Sequence, residues 1–214
     1  DKRTLGFLAA SGATIIYGLN HTIAKNVMPT YITPFGFILL RVLGAAILFW
    51  LVSFLIKPEK IQKKDWPRLI ACSFLGMVIN MLAFFKGLEL STPVNSSVII
   101  TISPIIVFIF SAILLKEKIE FLKTIGIILG FMGAVILVLY TSKTGINAPN
   151  IPLGNVLFIV NSFAYGLYLV LVKPLIEKYN IITLLKWLFL LAVFLNLPVT
   201  FNEFVSVEWA DLPI

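Results

Sequence analysis

Residues 5–25, LGFLAASGATIIYGLNHTIAK, are answered at residues 153–173 by LGNVLFIVNSFAYGLYLVLVK. Leu5-Gly6, Tyr17-Gly18-Leu19 and Lys25 pair with Leu153-Gly154, Tyr165-Gly166-Leu167 and Lys173. Just beyond, Tyr31 pairs with Tyr179, and every pair is 148 residues apart. Each copy lies in and just after a long apolar segment, so the pattern reads as a tandem repeat of a membrane unit. Between the start of one copy and the start of the next lie five apolar spans. A unit with an odd number of spans re-enters the bilayer upside down when it repeats. Inverted repeats of this kind point to a secondary transporter, with its ligand site near the midplane between the halves.

Composition supports a membrane setting. Of the 214 residues, 59% are hydrophobic and 13% charged, and the mean hydropathy is +1.01. A soluble domain of this length needs a far more polar surface. The apolar runs are long and continuous, unlike the short alternating strands of a β-barrel. The expected fold is therefore all-α and polytopic. The net charge of +7 comes from lysines and arginines in short loops, where they set topology, and no nucleic-acid partner is expected. The single cysteine, Cys72, lies within an apolar span and reads as a small core residue.

About 20 apolar residues cross a bilayer. On that ruler seven helices are predicted, near Leu5–Ala24, Pro34–Leu55, Arg68–Leu88, Val94–Leu115, Phe121–Tyr140, Leu153–Val172 and Ile181–Val199. Pro34 and Pro93 stand at helix starts, where a missing N–H costs nothing. The segment from Thr200 to Ile214 reads as a tail, with Trp209 at a membrane interface. The charged start followed by an apolar run resembles a signal peptide. Its internal repeat partner favours a retained helix.

The N-terminus and alternate loops carry Lys2, Arg3, Lys57, Lys60, Lys63, Lys64, Arg68, Lys116, Lys118, Lys123, Lys173 and Lys178. The other side has Lys25, Lys86 and Lys143. The excess places the N-terminus in the cytoplasm, and the expected location is the cell's inner (cytoplasmic) membrane. Residues 1–148 form the first five-helix repeat, and 149–214 begin a second with two helices. Seven helices of an expected ten are present on this reading, and roughly 80 further residues are expected to complete the repeat.

Polar residues within spans tend to face a bundle or cavity, because lipid-exposed polar groups are costly. In the first helix Tyr17 and Asn20 share a face, with His21 beside Thr14 and Gly18. In the third, Gly76, Asn80 and Phe84 align; in the fourth, Ser97 and Thr101; in the sixth, Asn161, Tyr165 and Tyr168. These residues either line one substrate cavity or hydrogen-bond between helices. Arg41 lies about 10 Å into the second helix at 1.5 Å rise per residue. It either snorkels into an interface or ion pair or recognises an anionic group such as a carboxylate. Lys86 and Lys186 lie near helix ends and read as snorkelling. Pro104 frees the Ile100 carbonyl and marks a kink or a hinge. Gly126-x-x-x-Gly130 allows close packing against further helices or in a homodimer. A lone His21 without Cys or carboxylate neighbours gives no metal site, and neither cofactor nor enzymatic activity is indicated. No carboxylate sits mid-span, so a carboxylate proton relay is not expected from these residues. No Gly-rich phosphate loop appears, which argues against ATP hydrolysis. An alternative is a seven-helix receptor or retinal-type protein using Lys186. It leaves the repeat unexplained.

Several local patterns coincide with one family. Tyr17-Gly18-Leu19-Asn20, Leu40-Arg41 followed by Gly44-Ala45-Ala46, and Lys86-Gly87-Leu88 occur in order in the first three helices. Ser103-Pro104, then Leu114-Leu115-Lys116-Glu117-Lys118-Ile119, and Gly126, Gly130 and Gly133 follow. Together they resemble the EamA family of the drug/metabolite transporter superfamily, over one full five-helix unit and the first two helices of another. The chain departs from the pattern at Lys86 and in lacking helices 8–10. The resemblance implies movement or efflux of small metabolites, often amino acids or related compounds, across the cytoplasmic membrane by alternating access.

Overall fold

A computed structural model describes residues 2–28, 30–116, 121–140 and 148–209. Helices occupy all seven predicted segments: α1 (Lys2–Val27), α2 (Pro34–Ser53), α3 (Lys63–Leu90), α4 (Pro93–Leu114), α5 (Phe121–Tyr140), α6 (Ile151–Ile176) and α7 (Ile181–Val205). Among the described residues there is no strand. Within the same set, α2, α3, α4, α6 and α7 are long and apolar enough to cross a bilayer. The chain is thus an all-α polytopic membrane protein.

Helix starts follow the sequence chemistry. Pro93 opens α4 behind Thr92, whose side chain accepts from Asn95 N–H. Asn150 accepts from Leu153 N–H at the start of α6, and Asn180 from Ile182 N–H at the start of α7. Each cap satisfies a donor that the first turn leaves without an intrahelical partner.

The core forms where α6 lies against α3 and α4, and α2 lies along α7. Phe84, Phe85, Leu88 and Phe158 are buried together with Ile38, Val42 and Ala192. Small residues let α6 approach closely. A Cβ added at Gly154 would stand 2.5 Å from Ser91 Cβ and 2.9 Å from Gly87 O, and one at Gly166 would stand 2.6 Å from Ile106 Cγ2. At Gly6 and Gly18, 148 residues earlier, no described atom outside the helix lies within 4 Å of an added Cβ. Outward faces carry Ile47, Leu51, Phe194 and Phe201, all exposed, as a lipid-facing surface requires.

The ends of α3 are tied to other elements. At the lysine-rich end, Tyr179 Oη donates to Asp65 Oδ2 at 2.6 Å and accepts from Gln62 N–H at 3.0 Å. Lys178 Nζ donates to Gln62 Oε1 at 2.8 Å and pairs with Asp65, and Asn180 N–H donates to Glu59 Oε2. At the opposite end, Lys25 Nζ donates to the carbonyls of Leu88, Glu89 and Ser91 at 2.7 to 3.0 Å. A cation on the carbonyls that close a helix is favourably placed against its dipole.

Four expectations need correcting. First, α3 is not one α-helix: a 3-10 turn at Lys63–Asp65 leads to Trp66–Ser73, then a π-helix at Phe74–Ile79, then α-helix from Asn80. Second, α4 breaks at Thr101–Ile102, ahead of Pro104, rather than bending around it. Third, Thr200 does not begin a tail: α7 runs through Pro198 to Val205, with Thr200 buried and its hydroxyl donating to Asn196 O. Neighbouring helices and hydroxyls make internal proline tolerable in membrane helices. Fourth, the two lysines read as snorkelling have specific partners. Lys86 pairs with Glu89, and Lys186 Nζ stands 5.1 Å over the Trp50 ring. At Gly126 and Gly130 no described atom lies within 4 Å of an added Cβ. Cys72 is buried among Leu69, Val172 and Leu175, as expected of a core residue.

Candidate functional site

A cavity of about 700 Å³ opens between α1, α2, α3, α4 and α6. Helical spacing builds each wall. Ala13, Tyr17 and Asn20 lie on one face of α1, with Thr14 beside them; Asn80, Met81, Phe84 and Phe85 come from α3. The wall formed by α4 carries Ser97, Ile100, Thr101, Ser103 and Pro104, and α6 adds Asn161 and Tyr165. From α2 comes Arg41, the one formally charged residue among the described lining residues.

Arg41 does not snorkel to a helix end. Its Nη1 donates to Asn20 Oδ1 at 2.5 Å. The guanidinium carbon sits 5.1 Å from the Phe85 ring centroid and 5.6 Å from that of Phe37. Ring faces attract a cation and offset part of the cost of holding charge at this depth. The same hydrogen bond ties α1 to α2.

Asn80 and Asn161 join the α3 and α6 walls. Asn161 Nδ2 donates to Asn80 O at 2.9 Å, and Asn80 Nδ2 donates to Asn161 O at 3.4 Å. The π segment lies immediately before Asn80. One of its carbonyls, Met77 O, accepts from Asn196 Nδ2 at 3.3 Å. Side chains from α6 and α7 thus hold backbone groups at the segment where α3 departs from α geometry. Such segments occur frequently at functional sites.

The break in α4 faces the cavity. Thr101 N–H donates to Val98 O and Ile102 N–H to Ile99 O, so the first half closes with tight three-residue turns. Ser103 and Pro104 then open a second half, Ser103–Leu114. The hydroxyls of Ser97 and Thr101 donate to Pro93 O and Val98 O, so each oxygen keeps its acceptor capacity. A discontinuous helix at membrane depth brings helix termini and backbone polarity to a site otherwise walled by side chains.

Of the predicted site residues, the structure gathers Tyr17, Asn20, Arg41, Asn80, Phe84, Ser97, Thr101, Pro104, Asn161 and Tyr165 around this one cavity. The side chain of His21 lies outside the described residues. Tyr168 is a correction: it does not reach the wall. Its ring covers Gly76, where an added Cβ would come within 2.7 Å of the ring, and it stands 6.1 Å from the Tyr165 ring. The π segment separates Gly76 from Asn80, so the predicted shared face of Gly76, Asn80 and Phe84 is split between a packed floor and the cavity wall. Phe85, Met81 and Ile100 were not singled out by sequence, since apolar residues in a span carry no mark that separates packing from lining. Ser103 was legible only as part of a Ser-Pro pair.

The EamA-like transporter family matches the chain over residues 4–139. An uncharacterized transporter of Archaeoglobus fulgidus is 32% identical over 170 residues, which are 78% of this chain and 57% of that protein. The uncharacterized transporter YetK of Bacillus subtilis is 25% identical across 98% of this chain and 64% of its own length. A third, from Methanothermobacter thermautotrophicus, is 24% identical over 85% of this chain and 57% of itself. The chain therefore spans 57% to 64% of the length of these relatives. No solved structure matches it significantly.

Proposed function

The chain belongs to the EamA-like transporter family, and from that premise we propose that it moves small metabolites across the cytoplasmic membrane as a secondary transporter or exporter. Amino acids or related compounds are the class that the resemblance implies. The observation that carries the reading is the cavity itself. Five helices bring three asparagines, two tyrosines and an arginine to one space among apolar walls, the composition of a small-molecule site.

Alternating access is supported by two discontinuities in the helices that build the wall, the break at Thr101–Ile102 and the π segment at Phe74–Ile79. Each interrupts regular helical hydrogen bonding where a helix would have to bend. On this reading residues 1–148 and 149–214 belong to two repeats of opposite orientation, supported by the letter matches 148 residues apart. The distribution of lysine and arginine supports a cytoplasmic N-terminus. The substrate is carried, not converted.

The test is solute counterflow in proteoliposomes with a labelled metabolite panel, recovering the transported compound unaltered. Flux no greater than in empty liposomes for every compound would overturn the reading.

A further inference from the structure

Among the described residues, Arg41 has no acidic partner. No Asp or Glu is among the described residues that line the cavity. The hydrogen bond to Asn20 engages one of the five N–H donors of the guanidinium, and two ring faces flank it. Neither an amide nor a ring supplies a negative charge.

A second element of the same sign meets this space. The half-helix Ser103–Leu114 is 12 residues long, and its first two residues, Ser103 and Pro104, line the cavity. The N-terminus of a helix carries the positive end of its dipole. Ser103 is 7% exposed, and its Oγ has no hydrogen-bond partner among the described residues. A buried hydroxyl left this way forfeits a bond it would have in water, and a ligand oxygen at this position would restore it. The remaining wall offers Met81, Phe84 and Ile100, which suit an apolar body.

We propose that this cavity selects a monocarboxylate with an apolar body, its carboxylate held between Arg41 and Ser103, in preference to the matching amino acid. The α-ammonium of an amino acid would enter a space lined by an arginine and a positive helix end. It would find no carboxylate among the described lining residues. This narrows the ligand of the transport cavity proposed above and rests on that reading.

Equilibrium binding to the full chain in detergent tests it without requiring flux. The probes are 4-methylpentanoate, its amide 4-methylpentanamide, and leucine, which is the same skeleton with an α-amino group. The acid is expected to bind tightest of the three. Arg41→Gln should weaken the acid about ten- to a hundred-fold and Ser103→Ala about two- to ten-fold, the range for losing a charge-assisted and a neutral hydrogen bond respectively. Arg41→Lys should recover part of the loss, because it keeps the charge but not the fork. Ser103→Ala disturbs packing least and serves where Arg41→Gln fails to fold. Equal binding of acid and amide, binding of leucine at least as tight, or an acid affinity unmoved in the variants would overturn the proposal. Failure of this kind, with counterflow of neutral solutes intact, would leave the transport reading standing. Acid binding without any flux would do the reverse.

Discussion

Asn80 and Asn161 each grip the other's backbone: the Asn161 amide donates to Asn80 O at 2.9 Å and the Asn80 amide to Asn161 O at 3.4 Å. Neither side chain bonds the other side chain. Removing one amide therefore leaves the second bond in place. Asn80→Ala and Asn161→Ala are each expected to cost about 0.5–1.5 kcal/mol, with the shorter Asn161 bond the more costly to lose. The double variant should come within about 0.5 kcal/mol of the sum. Thermal or denaturant unfolding of the four proteins checks this, and a coupling energy well above that limit would contradict the geometry.

Glycines matched by the repeat should respond oppositely to the same change. Gly154→Ala drives a methyl against Ser91 Cβ and Gly87 O, an overpacking expected to cost about 1–3 kcal/mol. Its partner 148 residues earlier is Gly6, and in Gly6→Ala the new methyl meets no described atom outside its own helix within 4 Å, so the change should be neutral or stabilising by up to about 1 kcal/mol, the helix-propensity difference. Melting temperatures of the two variants, measured side by side, decide the matter.

The lysine-rich end should show an alkaline dependence. The hydrogen bond to Asp65, above all, raises the Lys178 pKa over its ordinary value. A raised folded-state pKa contributes stability that is present below the unfolded value and is lost as pH rises through the folded one. The stability difference between the wild type and Lys178→Met should therefore hold through neutral pH and vanish above the ordinary lysine range. Lys178 lies at the surface, so the difference is small, and a difference unchanged into strong alkali would contradict the pairing.

Pro104 denies α4 a backbone donor next to its break. In Pro104→Ala an N–H returns and can bond Ile100 O, bridging the two halves. Solute flux is expected to fall several-fold. Unchanged flux would remove Pro104 and the break from the access cycle.

Cys72, fully buried, should resist a thiol-reactive maleimide in the folded protein and label only on unfolding. Its labelling curve should overlay the thermal melt followed by circular dichroism. Fast labelling well below the melt would place the thiol elsewhere.

Most of the architecture was readable from residues because lipid leaves few choices: a polypeptide crossing hydrocarbon must satisfy its backbone internally. The spans, the proline starts and the polar faces follow from that constraint alone. Asn20, Asn80 and Asn161 declared themselves because an amide in a span needs a partner. What stayed hidden was set between helices. FLGMVI at Phe74–Ile79 has no mark of a π-helix; only the folded chain shows Asn196 of α7 reaching Met77 O within it and Asn161 of α6 reaching Asn80 O just after it. Tyr168 has the chemistry of a cavity residue, and only the absence of a side chain at Gly76 draws it into the floor instead. Matching letters do not share an environment: a Cβ added at Gly166 would stand 2.6 Å from Ile106 Cγ2, while one at Gly18 would meet no described atom outside its own helix within 4 Å.

The π segment makes α3 a helix with two phases. Before it, Leu69 and Cys72 are locked into the cluster shared with α6 and α7; after it, Asn80 and Phe84 face the cavity. Wider winding over Phe74–Ile79 accommodates about one extra residue, and one residue of an α-helix turns about 100°. Shortening this stretch by a single residue would swing the cavity wall around the helix axis while leaving the lysine-rich floor in register. The shape of the site is thus set by a count of residues as well as by their identity, and a deletion there could change what fits without altering any lining side chain.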